Sequence, residues 1–154
     1  MRLFIFVVLL LVQVPNVIAE DKKLTAGFNH IGLSVTDLDA STAFFVEGLG
    51  WEQVGGDLSY PATFVSDGHM FLTLWRVKNP AVANTFDRKN NVGLHHLAIT
   101  VTSFEALDYL YERLKTIEGV VIEFAPELAY GGPGKHMMVS EPSGNRLEFT
   151  SRPR

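Results

Sequence analysis

A chain of 154 residues, 47% hydrophobic and without cysteine, has the length of one packed domain and must hold it together without disulfides. Any metal it binds must be held by nitrogen and oxygen rather than by thiolate. Its 17 acidic and 13 basic residues leave a formal charge of −4 with no basic cluster, which excludes a nucleic-acid or anionic-membrane face and points to a small-molecule substrate.

In chain order, Arg2 and an unbroken apolar run from Leu3 to Val12 come first, followed by Pro15 and Val17-Ile18-Ala19. This pattern predicts a secretory signal over 1–19, cleaved after Ala19; an uncleaved N-terminal anchor is the competing reading. The run is short for a membrane-spanning helix. The remaining domain, 20–154, is therefore expected to be secreted or periplasmic, with no membrane association once the signal is removed. From Phe28 to Thr36, Ile31, Leu33 and Val35 alternate with His30, Gly32 and Ser34, the period of a half-buried strand. Asp37 or Asp39 caps a following helix with the apolar stripe Leu38, Phe45 and Leu49, which Gly48 and Gly50 end. Trp51 to Val54, Ala62 to Val65 and Phe71 to Val77 predict three more strands, with turns at Gly55-Gly56-Asp57 and Ser66-Asp67-Gly68. Module one, about 27–78, reads β-α-β-β-β.

The polar stretch 79–91 contains Pro80 and no clear period, and it reads as a linker. Module two, about 92–151, repeats the order. A strand from Leu94 to Val101 precedes a helix capped by Ser103, with Leu107, Leu110, Leu114 and Ile117 on its buried face and Gly119 at its end. Strands follow at Val120 to Phe124, His136 to Ser140 and Arg146 to Thr150. Glu141-Pro142-Ser143-Gly144 makes a tight turn between the last two, and the glycine-rich stretch Tyr130 to Lys135 a loop. The two modules also share a phrase: His30-Ile31-Gly32-Leu33-Ser34-Val35 returns as His96-Leu97-Ala98-Ile99-Thr100-Val101.

Alternation puts His30, Gly32 and Ser34 on one face of their strand, and His96, Ala98 and Thr100 on the corresponding face of theirs. Small residues beyond each histidine imply a hollow rather than a filled core. In the last strand Leu147 and Phe149 share a face and Glu148 points the other way. His30, His96 and Glu148 thus make a three-ligand set for a divalent metal, with positions left open for substrate or water. Glu148 is the candidate catalytic carboxylate as well as a ligand. Zn, Mn, Fe and Ni all accept such ligands. Phe71 and Trp75 lie on one side of their strand with Thr73; they are an aromatic wall for substrate or simply core. Arg146 is an anchor for an anionic substrate group or a solvated residue beside a turn. His136 reads as a proton shuttle at the cavity mouth or a surface residue, His95 as packed or exposed on the face opposite His96, and His69 as solvent-facing.

Asn29-His30-Ile31-Gly32-Leu33-Ser34-Val35, His95-His96-Leu97-Ala98-Ile99-Thr100-Val101 and Glu141-Pro142-Ser143-Gly144-Asn145-Arg146-Leu147-Glu148 together resemble the vicinal oxygen chelate superfamily, the glyoxalase, bleomycin-resistance and dioxygenase group. The resemblance covers about 27–151. It implies an α+β fold of paired βαβββ modules forming an incomplete mixed β-barrel, with His30, His96 and Glu148 as metal ligands. It places a fourth ligand, typical of glyoxalase I, at Thr73, where threonine is a poor replacement for a carboxylate. Three ligands suit the fosfomycin-resistance thiol transferases and extradiol dioxygenases better. The dioxygenases add an acid-base tyrosine or histidine on the strand before the last, where this chain has Met137 and Met138 with His136 at the start.

Two functions follow. One is an exported metal-dependent enzyme acting on a small oxygenated substrate. The other is a metal-free protein that sequesters a small molecule, like the bleomycin-resistance members. A homodimer is expected, because modules from two chains can complete a site as well as modules from one.

Overall fold

The structure, a computed structural model, describes residues 24–153. The expected signal segment, 1–19, lies outside the described residues. Among those described, no helix is long and apolar enough to cross a membrane.

Eight strands form two sheets of four. The first contains β1 (Ile31–Val35), β2 (Glu52–Asp57), β3 (Ala62–Ser66) and β4 (Phe71–Arg76) in the order β1-β4-β3-β2. The second contains β5 (Leu97–Thr100), β6 (Val121–Leu128), β7 (Lys135–Ser140) and β8 (Arg146–Ser151) in the order β5-β8-β7-β6. In each sheet the first and last strands of the module pair in parallel and the other pairs are antiparallel. The duplication legible in the sequence is therefore a duplication of topology, and neither sheet closes on itself.

Each parallel pair needs a crossover, and a helix supplies it. α1 (Leu38–Ala43) starts where Asp37 Oδ1 accepts the amide of Ala40 at 2.9 Å, and it continues as a π turn over Phe44–Gly48. α2 (Phe104–Leu114) starts where Ser103 Oγ accepts the amide of Ala106 at 3.1 Å. Its Leu107 and Leu114 are fully buried, each contributing about 2 kcal/mol of transfer free energy. Strand alternation does the rest. Leu33 and Val35 of β1, Leu97 and Ile99 of β5, and Leu147 and Phe149 of β8 enter one core cluster beneath the helices. Gly32, Ser34, Ala98 and Thr100 stay exposed on the opposite faces.

Several boundaries differ from the sequence reading. Gly55-Gly56-Asp57 is strand, not turn: a Cβ on Gly56 would lie 2.7 Å from the carbonyl oxygen of Ala62, so glycine lets β2 approach β3 closely. The turn comes after Asp57, whose Oδ1 accepts the amides of Ser59 and Tyr60 and the Ser59 hydroxyl. These bonds, led by the Ser59 hydroxyl, hold the Asp57 carboxyl below its usual range. β6 runs on to Leu128 through two register shifts, which accommodate Pro126 on an edge strand. Both module-opening histidines stand just before their strands rather than within them.

The β7–β8 turn joins the modules. Gly144 has φ +89°, as expected of this tight turn. Ser143 Oγ accepts the amides of Thr36 and Asp37 at 3.0 and 3.3 Å, and Asn145 Nδ2 donates to the Ser34 carbonyl at 3.0 Å. Behind them Glu141, 1% exposed, accepts Ser41 Oγ at 2.6 Å and the amide and side chain of Asn145 at 3.0 and 2.8 Å. A buried carboxylate is tolerable here because donors satisfy both its oxygens.

Candidate metal centre

Sheet register puts equivalent residues of the two modules in equivalent rows. In module one, Gly32 pairs with Thr73, which pairs with Phe64. In module two, Ala98 pairs with Glu148, which pairs with Met138. Thr73 thus occupies in the first sheet the place Glu148 occupies in the second. His30 precedes its row by two residues, as His96 precedes its own.

Module two brings His96 and Glu148 together. His96 Nε2 lies 3.1 Å from Glu148 Oε2, with the side chains 33% and 15% exposed. The other carboxylate oxygen, Oε1, lies 2.6 Å from His136 Nδ1, and the His136 ring packs 5.0 Å from that of Phe124. On the other side, His96 Nδ1 meets His95 Nδ1 at 2.8 Å, so one ring donates and the other accepts. Loss of hydration first, and then the charges of Arg146, His96 and Arg88, hold the His95 imidazole below its ordinary value. His95 therefore favours the neutral form near pH 7.

Module one holds the third residue of the set apart. His30 is exposed, its Nδ1 is 2.7 Å from Asn29 Oδ1, and its ring meets Phe71 edge-on at 6.0 Å. It makes no hydrogen bond or ion pair with His96 or Glu148. Among the described residues, no three of His, Cys, Asp and Glu converge as a ligand group within one chain. The donor atoms of the His96–Glu148 pair nevertheless fit a shared ion: two ligands each about 2.1 Å from a metal, at a right to tetrahedral angle, lie about 3.0–3.4 Å apart. One chain thus brings together two of the three residues of the predicted set.

The substrate-side candidates divide. Phe71 and Trp75 belong to a chain of rings, half-buried except for the exposed Tyr60 at its end. Phe64 lies 5.8 Å from Phe71 and 5.9 Å from Trp75, and Tyr60 lies 5.0 Å from Trp75. Thr73 is buried, and its hydroxyl accepts the Trp75 indole N–H at 2.9 Å. Arg146 is already paired: Nε donates to both Glu123 oxygens at 2.9 and 2.8 Å, beside Arg88.

Two clefts lie at the junctions between modules. A cavity of about 540 Å³ sits where the end of β1 and the linker meet the β7–β8 turn, with His95 and Arg146 among its walls. A second, of about 750 Å³, sits where the end of β5 meets the β3–β4 turn at His69 and Met70. Neither is lined by His96 or Glu148, which occupy an open sheet face instead.

Sequence reading missed the burial of His136, which is core rather than surface, and the contacts of Phe64 and Glu123. The first was within reach. A turn over 141–145 fixes Ser140 opposite Arg146, hence Met138 opposite Glu148, with His136 one diagonal away on the same face.

Comparison with known proteins agrees with this architecture. The profile described as the Glyoxalase/Bleomycin resistance protein/Dioxygenase superfamily matches residues 27–149. A catechol-2,3-dioxygenase of Bacillus subtilis (strain 168) is 33% identical over 90 residues, 56% of this chain. The match spans only 30% of that relative's length. A glyoxylase/bleomycin resistance protein/dioxygenase domain from Frankia sp. EAN1pec superposes with a TM-score of 0.69 at 24% identity, covering 84% of this chain and 94% of that one. A mutant of the fosfomycin resistance protein FosX from Listeria monocytogenes, solved with Mn(II) and 1S,2S-dihydroxypropylphosphonic acid, gives 0.66 at 21% identity over 84% and 93% of the two chains. With the matched segment spanning both βαβββ modules, the chain belongs to the glyoxalase/bleomycin resistance protein/dioxygenase superfamily.

Proposed function

We propose that this protein is an exported, metal-dependent enzyme that binds a small oxygenated substrate at a divalent cation held by His30, His96 and Glu148. The reading rests on one observation: His96 Nε2 and Glu148 Oε2 stand 3.1 Å apart on an open face, at the place where the other module carries His30. Because one chain holds only two of these donors together, His30 of a second copy completes the set in a homodimer. Metals bound by the superfamily relatives, such as the Mn(II) of the FosX complex, support the choice of a divalent ion.

A cation held there supplies Lewis acidity to substrate oxygens. The chain's own residues do the rest. His96 and Glu148 hold the ion, His95 takes the second nitrogen of His96, and His136 takes the second oxygen of Glu148. Phe71 and Trp75 offer an apolar face for the body of the substrate, while Thr73 spends its hydroxyl on the indole N–H. Pairing of Arg146 with Glu123 makes it a poor anchor for an anionic group. A metal-free sequestering protein is the second reading, favoured by the continuous ring chain from Phe71 to Tyr60.

Elemental analysis of protein recovered outside the cytoplasm, purified without chelator, separates these readings. Its intact mass should lack 1–19. Wild type should carry stoichiometric metal, and His96→Ala and Glu148→Ala should each lose it. Equal metal in both variants dismisses the site. Ligand binding that is unchanged by chelator and by His30→Ala favours the sequestering protein.

A further inference from the structure

The side chain of His136 is 5% exposed, and beyond its contact with Glu148 the proposed chemistry gives it no part. An imidazole that has lost its water is stable only where its polar atoms are partnered. Here Nδ1 stands 2.6 Å from Glu148 Oε1, a short charge-assisted distance. The ring itself is fixed by β7 and by Phe124, 5.0 Å away. Glu148 is softer. The last torsion of a glutamate is broad and roughly two-fold, so an untethered carboxylate turns and offers either oxygen, or both, to a cation.

We propose that His136 is a positioning residue for the metal centre. Its Nδ1–H holds Oε1 of Glu148 and so leaves Oε2 alone facing His96 Nε2. Both the neutral Nδ1–H tautomer and the imidazolium donate this bond, so the role does not depend on titration of the ring. A buried partner that fixes a ligating carboxylate typically changes metal affinity 10- to 100-fold. The inference rests on the proposed metal site and adds to it the group that sets how Glu148 binds.

Mn(II) is a suitable probe, because the paramagnetic resonance signal of the free ion reports its dissociation constant directly. His136→Leu should weaken Mn(II) binding roughly 10- to 100-fold. An asparagine amide nitrogen falls near the position of Nδ1 and a glutamine amide nitrogen near Nε2. His136→Asn should therefore stay within about threefold of wild type while His136→Gln falls with the leucine variant. A merely structural histidine would shift melting temperature without separating Asn from Gln. Wild-type affinity in folded His136→Leu overturns the proposal, as does equal affinity in the Asn and Gln variants. If His136→Leu fails to fold, the Asn and Gln pair decides alone. Failure to bind Mn(II) in the wild type removes both this role and the metal site; binding unaffected at position 136 removes this role only.

Discussion

Four residues, His95, His96, Glu148 and His136, lie in contact in module two. Each constrains the next: a ring nitrogen shared between His95 and His96, then one carboxylate oxygen for each of His96 and His136. His95 shows how its neighbours set the charge. Its lowered value arises first from lost hydration and then from nearby cations, of which Arg146 is the leading one. Replacing Arg146 with Gln removes a positive charge and frees the carboxylate of Glu123, and both changes favour the imidazolium. The His95 ring resonances of Arg146→Gln, followed by NMR across the pH range, should titrate at higher pH than in wild type. A midpoint that stays put or falls would show that hydration alone controls the ring.

At the scale of elements, the site depends on sheets that keep one face filled and the other open. β2 illustrates the cost of closing the gap. A methyl group at Gly56 would press on the Ala62 carbonyl at 2.7 Å, where backbone rather than a flexible side chain must yield. Gly56→Ala should therefore destabilise the fold by about 1–3 kcal/mol, read as a lower urea midpoint at unchanged slope. Stability equal to wild type would mean that β2 shifts freely away from β3. Most elements were legible before the structure, because alternation in β1, β5 and β8 and the caps Asp37 and Ser103 are local signals. The run through Gly55-Gly56 was not, since a diglycine serves a turn and a close strand pair equally well and only the neighbouring strand distinguishes them. β6 was cut short for a similar reason: Pro126 argues against a central strand, and its position at the sheet edge is a tertiary fact.

At the scale of the whole molecule, the Glu141–Asn145 turn sets how the modules meet. It binds the end of β1 and the start of α1, so the relation between the two open faces is held by buried bonds at Glu141 and Ser143. His30 on one face and the His96–Glu148 pair on the other do not touch in that arrangement. The shared site proposed above predicts a dimer by sedimentation together with metal lost from His30→Ala. Mixing His30→Ala with Glu148→Ala should regain metal in hybrid dimers, which keep one complete site. A strict monomer that binds metal fully would remove the shared site.

The order of strands and helices, the duplication, the buried face of each strand and the residue types available for a metal were all written in the chain itself. Each depends on period, capping or repetition, which neighbours along the backbone impose. Which of those residues meet was decided by packing alone. The pairing of His96 with Glu148, the neutralisation of Arg146 by Glu123 and the separation of His30 all follow from sheet register and from one turn docked between modules. Contacts across such distances in sequence carry no local signature, because their energy comes from surfaces that exist only once the two sheets have formed.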